Sequence, residues 1–396
     1  MLNFNFYSPT YFEFGTDTES KAGELVKRFG GTKVLLHYGK NSVIKSGLLG
    51  RVKASLDKEN IGYVELGGVQ PNPRDTLVYE GIELSRKEKV DFILAVGGGS
   101  VIDSSKAIAL GVPYSGDFWD FYSYKVDATE TLPVGTVLTI AAAGSEGSES
   151  SVITRTSTDT KNGYSNDITR PKFSILNPQL TCTLPSYQTA AGAIDIMAHV
   201  FERYFSNTPN VETTDRLCEA VLLSMVSEVP KAIKNPDDVD ARANIMWAGM
   251  VAHNNIVGVG REQDWNSHGI EHQLSAVYDV AHGAGLAVIF PAWMTYLVKE
   301  KEYGIMRFAQ IAVRLWGVQM NFSNPKETAL KGIECFKQFL SSIGMPINFE
   351  QLGAKAEDIP LLVKKFGLVE NETTGGFYNL NSKDVENIYN TALLLF

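Results

Sequence analysis

The chain has 396 residues, of which 44% are hydrophobic and 20% charged, and its net charge is −9 at neutral pH. This composition is that of an ordinary globular protein and excludes a disordered or collagen-like chain. The negative charge, without a dense run of Lys or Arg, argues against nucleic acid as a partner.

The length and the N-terminal sequence predict two domains and a cytoplasmic location. Because single hydrophobic cores stop growing at roughly 250–300 residues, a chain of 396 residues is expected to divide. Its first residues lack the basic and apolar regions of a signal peptide, and no run approaches the ~20 apolar residues that span a bilayer. Cys182, Cys218 and Cys335 are scattered without disulfide or metal spacing, as in a reduced cytoplasmic protein without membrane contact.

The first half of the chain predicts an α/β domain. An alternating apolar segment at residues 2–7 is typical of an edge strand, which would pair within its own sheet or with a second subunit. Further strands are predicted at 34–37, 63–66, 91–96, 136–140 and 173–176, separated by helical segments such as 44–59 and 73–88. Alternating strands and helices imply a parallel sheet with ligand sites at the strand carboxyl ends. Residues 1–184 are therefore predicted to form a dinucleotide-binding domain.

The second half predicts a helical domain. After Leu184 the strand pattern stops, and amphipathic segments with Pro or Gly between them continue to the end of the chain. The clearest helical segments are 189–205, 215–229, 241–255 and 326–343. Residues 185–396 are therefore predicted to be all-α.

Two small-residue loops suggest a phosphate site. Residues 97–100, Gly-Gly-Gly-Ser, follow a buried strand and precede a helix, whose N-terminus attracts phosphate. A second loop, 141–147, follows the next strand in the same way. Either loop alone is also compatible with a simple tight turn, but the pair favours a dinucleotide. Asp103 and Lys106 in the helix after the first loop are equally compatible with a solvated or intra-helix ion pair.

The histidines form a second candidate site. Three of the six, His268, His272 and His282, fall within fifteen residues. His268 and His272 are four residues apart and share a helix face, as do Asp195 and His199 upstream. Two such pairs that converge offer imidazole and carboxylate ligands suited to Fe²⁺ or Zn²⁺. The spacing does not decide which downstream histidines are ligands.

The same histidines support an alternative function. Residues 268–272 match H-x-x-E-H, the inverted zinc-peptidase motif, in which the glutamate acts as a base on bound water. A peptidase has no use for two glycine loops at parallel strand ends, so it is the second hypothesis. A non-catalytic nucleotide-binding protein with a structural metal is the third.

Several motifs together resemble the iron-containing (group III) alcohol dehydrogenases, particularly the NADPH-dependent butanol dehydrogenase branch. The resemblance runs nearly end to end and is carried by Phe6-Tyr-Ser-Pro9-Thr10, Phe14-Gly15, residues 97–106, Gly144-Ser145-Glu146, Asp195-x-x-x-His199, Asp264-Trp265-x-x-His268-x-x-x-His272 and His282-Gly283. It implies a Rossmann-like α/β domain followed by an all-α domain, in the dehydroquinate synthase-like architecture. It also implies hydride transfer between NAD(P)H and a small primary alcohol or aldehyde such as butanol or butanal.

The resemblance also implies the roles of individual residues. One divalent ion, with Fe²⁺ favoured and Zn²⁺ as the alternative, is held by Asp195, His199, His268 and His282. His272 then lies near the substrate, where it is the candidate for proton transfer. The implied cofactor contacts are Gly97, Gly98, Gly99, Ser100, Thr139, Ser145 and Lys161. Family members commonly have threonine where this chain has Ala143, which predicts an altered cofactor affinity.

Cofactor choice and assembly complete the expectations. Gly39 stands about where NAD-preferring relatives carry an aspartate, and Lys40, Asn41 and Ser42 offer donors to a 2′-phosphate. We therefore expect NADP(H) to be preferred over NAD(H), with Gly39 and Ser42 among the cofactor contacts, although Lys40 alone is also compatible with a solvated turn. The apolar face of residues 2–7 needs cover, which predicts a homodimer.

Overall fold

The computed structural model describes residues 1–158 and 160–393, and these contain a parallel six-stranded sheet, an antiparallel hairpin and a large set of helices. The strands are β1 (Tyr11–Phe14), β2 (Lys33–Tyr38), β3 (Gly62–Leu66), β4 (Phe92–Gly97), β5 (Val134–Leu138), β6 (Ser150–Arg155), β7 (Thr160–Ser165) and β8 (Phe173–Leu176). The sheet has the order β1-β8-β5-β4-β2-β3, and β6 pairs with β7. The predicted Rossmann-like parallel sheet is confirmed.

The sheet is covered by helices on both faces. The helices of this half are α1 (Ala22–Arg28), α2 (Ser42–Lys45), α3 (Leu48–Lys58), α4 (Asp75–Glu88), α5 (Gly99–Gly111) and α6 (Trp119–Tyr122). Val34 and Phe92 pack with residues of α1 and α3 on one face, while Leu35 and Ile93 pack with α4 and α5 on the other. Burial on both faces explains why the sequences of these strands are continuous runs of apolar residues.

The second half of the described chain is helical, as predicted. Its helices are α7 (Ser186–Tyr204), α8 (Glu212–Lys234), α9 (Val239–His253), α10 (Asn266–Tyr278), α11 (His282–Lys299), α12 (Ile305–Trp316), α13 (Pro325–Ser342), α14 (Phe349–Leu352), α15 (Ile359–Phe366) and α16 (Ser382–Ala392). Short 3₁₀ turns lie at Thr18–Lys21, Asp167–Thr169, Pro178–Thr181 and Ala356–Asp358. Residues 283–298 of α11 are all buried, so this helix forms the core against which α7, α10, α13 and α16 pack.

The chain forms two compact units. The α/β unit comprises Tyr7–Leu184 and Asp237–Asn254, and the helical unit comprises Met1–Phe6, Pro185–Pro236 and the described part of Asn255–Phe396. The boundary after residue 184 stays a prediction, because compactness alone does not show which segments fold by themselves. Among the described residues, no helix combines the length and apolar character needed to cross a bilayer.

Within the described chain, residues 2–7 pair with no strand of the sheet, so the prediction that they form an edge strand of their own sheet is wrong, and pairing with a second subunit stays a prediction. The first strand is β1, which begins at Tyr11, and residues 1–6 form an arm of the helical unit. A backbone hydrogen bond attaches the arm to the rest of the helical unit, since the Leu2 amide donates to the Gly260 carbonyl at 2.8 Å. Alternating apolar residues give an extended segment one apolar face, but a strand also requires a neighbouring strand with which it can pair. Leu2, Phe4 and Phe6 stay 45–50% exposed.

Candidate metal centre and cofactor loops

Three helices of the helical unit bring the predicted metal ligands together. Asp195 and His199 lie on α7, His268 and His272 on α10, and His282 is the first residue of α11. One ligand atom from each of Asp195, His268 and His282 lies within 4.8 Å of the others. The ring of His199 is 4.6 Å from that of His268, centroid to centroid. The four residues are neighbours, and their role as ligands stays a prediction.

Local sequence explains this convergence. Asp279 adopts a left-handed conformation with a φ of 51°, which ends α10 and turns the chain toward α11. Gly283 then allows α11 to start directly against α7, because a Cβ atom there would lie 1.8 Å from the Ala191 carbonyl oxygen. The His282-Gly283 pair thus places an imidazole at the contact of two helices.

The donor set fits a divalent transition-metal ion. In each of three histidines, Nδ1 faces an oxygen: the Asp195 carbonyl for His199 at 2.8 Å, Glu202 Oε1 for His268 at 2.8 Å, and the Glu271 carboxylate for His282. A nitrogen that faces such an acceptor donates its hydrogen, so Nε2 carries the lone pair that binds metals. Three imidazoles and one carboxylate suit Fe²⁺ or Zn²⁺.

The position of Glu271 argues against the peptidase mechanism. Its side chain is completely buried, and its oxygens accept hydrogen bonds from Ser275 Oγ and His282 Nδ1. A base that activates water must be able to reach that water. Glu271 also groups with His272 and His282, with one ligand atom from each within 4.8 Å of the others. The half-buried His272 ring lies 5.3 Å from that of His282.

The contacts of two acids, Glu202 and Asp264, were not predicted from the sequence. Glu202 accepts hydrogen bonds from the backbone amides of Trp265 and His268 as well as from the His268 ring. Asp264, part of the quoted motif, instead accepts from the Gly376 and Phe377 amides and anchors the C-terminal segment. The available signal for Glu202 was an acid three residues after His199, on the same face of the helical segment.

The predicted cofactor residues of the α/β unit lie at adjacent strand ends. Gly97 ends β4, Gly98 is extended, and Gly99 begins α5. Thr139 follows β5, and its amide donates to the Gly97 carbonyl at 3.0 Å, which joins the two loops. Gly39 follows β2, the other neighbour of β4. Such an edge, with a helix N-terminus beside it, is where parallel α/β folds bind dinucleotides.

A buried lysine fastens the second loop to α5. Lys106 Nζ donates to the carbonyls of Ser145, Ser148 and Ser150 at 2.7, 2.9 and 2.8 Å. Lys106 is completely buried and Asp103 is half-buried, so the solvated form of the ion pair considered for them is wrong. Burial lowers the pKa of Lys106 to about 8 and raises that of Asp103.

Other predicted cofactor residues have protein partners. The Ser145 hydroxyl donates to Asp103 at 2.6 Å, and Lys161 Nζ donates to Asn72 Oδ1 at 3.0 Å. Ser42 is exposed at the first position of α2. The structure places these residues in the α/β unit, and their contacts with a cofactor stay predictions.

Together, a glycine loop at parallel strand ends and a histidine-carboxylate cluster are typical of a metal-dependent nicotinamide oxidoreductase. Family comparisons agree with this class. A model described as iron-containing alcohol dehydrogenase matches residues 9–178. A model for the C-terminal domain of the Fe-containing alcohol dehydrogenase family matches residues 189–393.

Individual relatives match over nearly the whole chain. NADH-dependent butanol dehydrogenase A of Clostridium acetobutylicum is 39% identical over 389 residues, which cover 98% of this chain and 99% of that protein. NADPH-dependent aldehyde reductase of Escherichia coli is 33% identical over 368 residues, which cover 92% and 93%. The crystal structure of NADH-dependent butanol dehydrogenase A from Thermotoga maritima has a TM-score of 0.95 at 39% identity, covering 100% of this chain and 99% of that chain.

The chain therefore belongs to the iron-containing alcohol dehydrogenase family. Its activity is that of a nicotinamide-dependent alcohol dehydrogenase or aldehyde reductase, which confirms the predicted family and enzyme class. The peptidase alternative finds no support in these relatives.

Proposed function

We propose that this enzyme interconverts small primary alcohols and aldehydes, such as butanol and butanal, with NADP(H) as the preferred cofactor and a divalent ion, Fe²⁺ in the first place. The metal would be held by Asp195, His199, His268 and His282. The observation that carries the proposal is the convergence of three imidazoles and a carboxylate from three helices. Residues 1–184 are assigned to the dinucleotide and residues 185–396 to metal and substrate, and the acidic, cysteine-poor chain is assigned to the cytoplasm.

A direct test is to incubate the protein with butanal and NADPH and follow the absorbance of the reduced nicotinamide. Disappearance of this absorbance is expected only for the oxidoreductase. A peptidase or a non-catalytic nucleotide-binding protein would leave it unchanged, and the proposal would then be wrong.

The two units would contribute different parts of the reaction. A bound ion would supply Lewis acidity toward the alcohol or carbonyl oxygen, and the nicotinamide would carry the hydride. Asp195 and the three imidazoles would fix the position of the metal ion. The glycine loop at residues 97–100 and the N-terminus of α5 bind the pyrophosphate. His272 moves the proton, because it lies one helical turn beyond His268 and imidazole titrates near neutral pH.

The role of His272 predicts a separable defect. His272→Ala is expected to keep its full metal content but to lower kcat about 100-fold, the usual effect of losing a general acid-base group. Metal analysis and steady-state rates on the same preparation check both parts. Loss of metal in this variant would instead make His272 a ligand.

The proposed cofactor preference rests on the carboxyl end of β2. Gly39 leaves this end without a carboxylate, and Lys40, Asn41 and Ser42 beside it are exposed. An aspartate there would accept the ribose hydroxyls of NAD and repel the 2′-phosphate of NADP. Relatives named for NADH and for NADPH both match this chain, so their names do not decide the preference.

Gly39→Asp is expected to lower the NADPH/NADH ratio of kcat/KM about 100-fold, because like charges in close contact cost several kcal/mol. The side chain can be accommodated, since a Cβ at Gly39 would lie 3.6 Å from the Val69 carbonyl oxygen. Gly39→Ala, which adds the Cβ without the charge, is the control and should keep the ratio. A clear advantage for NADH in the unmodified enzyme would refute the preference and leave the metal assignment intact.

A homodimer is proposed from the exposed apolar arm. Leu2, Phe4 and Phe6 contribute apolar surface on a segment of the helical unit, and a second copy would remove that surface from water. Separately, β1 is an edge strand of the sheet, with Phe14 exposed.

Removal of residues 1–7 is expected to halve the mass measured by light scattering. Phe322→Ser, which removes another exposed aromatic ring of the helical unit, should leave the mass unchanged. An unchanged mass after truncation would place the subunit contact elsewhere, and a monomeric full-length protein would refute the dimer.

A further inference from the structure

Two buried carboxylates touch the histidine cluster without belonging to the predicted ligand set. We infer that Glu202 and Glu271 are positioning residues of the metal site, and that each orients a ligand histidine carried by the next helix of the cluster. This inference rests on the proposed function, because it takes Asp195, His199, His268 and His282 as the ligands.

Glu202 connects α7 to α10. Its Oε1 accepts from the His268 ring at 2.8 Å and from the His268 amide at 2.9 Å, while Oε2 accepts from the Trp265 amide at 3.0 Å. The side chain is buried, and its two oxygens accept from backbone amides at the N-terminus of α10, which would otherwise lack partners. One side chain thus fixes both the start of the helix and the ring of its first histidine.

Glu271 connects α10 to α11. Its carboxylate accepts from His282 Nδ1 and from Ser275 Oγ, and the side chain is completely buried. Gly285 on α11 makes room for it, because a Cβ atom there would lie 2.3 Å from Glu271 Oε1. The packing of the two helices is therefore fitted to this carboxylate.

The pattern is sequential along the chain. The helix α7 orients the ligand of α10, and α10 orients the ligand of α11, while His199 is oriented by a carbonyl of its own helix. A carboxylate that accepts from Nδ1 fixes the tautomer and the ring angle and raises the basicity of Nε2. Ligands held in this way are arranged before the ion arrives, which strengthens binding.

The test compares Co²⁺ affinity and the visible Co²⁺ spectrum of five metal-free proteins. These are the unmodified enzyme, its Glu271→Ala, Glu271→Gln and Glu202→Gln variants, and a control variant, Glu219→Gln. Affinity is measured by competition with a chromophoric chelator, and thermal melting of each metal-free protein confirms folding. Glu271→Ala is expected to bind Co²⁺ about 10- to 100-fold more weakly, with a changed spectrum.

The glutamine variants separate orientation from charge. At position 271 the amide oxygen can still accept from His282 Nδ1, and the amide N–H can donate to Ser275 Oγ. Glu271→Gln should therefore recover part of the affinity. At position 202 the amide N–H would face the Trp265 amide, a second donor, so Glu202→Gln should bind Co²⁺ more weakly than the unmodified enzyme. Glu219→Gln is the matched control, because Glu219 is a buried glutamate of α8 that accepts hydrogen bonds from Tyr204 and Arg314. This variant should bind Co²⁺ as the unmodified enzyme does.

Two further variants separate the failure of this inference from that of the proposed function. If His268→Ala and His282→Ala lose Co²⁺ while all glutamate variants bind it normally, the positioning role is refuted and the ligand set stands. If His268→Ala keeps Co²⁺ and Glu271→Ala abolishes binding, the ion sits among Glu271, His272 and His282 instead. That result would overturn both the inference and the proposed ligand set.

Discussion

We expect that replacing His268 or His282 with alanine removes the bound ion and, with it, turnover. Each imidazole is one of the four proposed donors drawn from three helices, and alanine offers the ion no ligand atom in its place. Because a metal ion contributes several kcal/mol of charge stabilisation, kcat should fall at least about 1000-fold. Metal analysis and steady-state rates on protein purified without air measure both effects.

His253→Ala is the matched control for the metal content, because His253 ends α9 in the α/β unit and lies outside the cluster. This variant should keep one ion per chain. If His282→Ala also kept a full complement of metal and a near-normal rate, the ligand assignment would be wrong.

Lys106→Met is expected to destabilise the α/β unit by about 3–5 kcal/mol, the usual cost of removing one partner from a buried charged network. Methionine preserves the length of the side chain but leaves the carbonyls of Ser145, Ser148 and Ser150 without their donor. The melting temperature should fall by roughly 10 °C. Cofactor affinity should fall with it, because the second loop loses its attachment to α5.

Lys87→Met, at an exposed position of α4, is the control for the loss of a positive charge, and its melting temperature should change little. A Lys106→Met protein that melted like the unmodified enzyme would show that the ammonium is not needed to hold the loop. Calorimetric titration with NADPH measures the cofactor affinity of both variants. An unchanged affinity in Lys106→Met would show that other contacts hold the loop.

Much of the α/β unit could be predicted from the sequence. Strands β2, β3, β4, β5 and β8 were predicted within two residues at each end, because buried parallel strands are unbroken apolar runs flanked by glycine or proline. The β6–β7 hairpin was missed, since residues 150–155 and 160–165 are rich in serine and threonine and show no apolar alternation. At residues 2–7 the apolar alternation is present, but no strand of the described chain pairs with the segment.

Within the metal cluster, residue spacing predicted the pairs that share a helix face, and the family resemblance added His282. Residues four apart share a helix face, so Asp195 with His199 and His268 with His272 were visible in the sequence. The contact of Glu202 with His268 joins residues 66 positions apart, and no local pattern encodes it. Lys106 looked like a surface residue for the same reason: its partners lie 39 to 44 positions away.

Hydride transfer in this protein is proposed to depend on an ion held by the histidine cluster. The most direct measurement is the loss of NADPH absorbance when the protein is incubated with butanal. It is made in three states: before chelation, after removal of the ion by a chelator, and after return of Fe²⁺ or Zn²⁺ without air. We expect oxidation of NADPH in the first state, none in the second, and recovery in the third with about one ion per chain. Equal rates before and after chelation, with metal analysis showing no ion left, would contradict the claim.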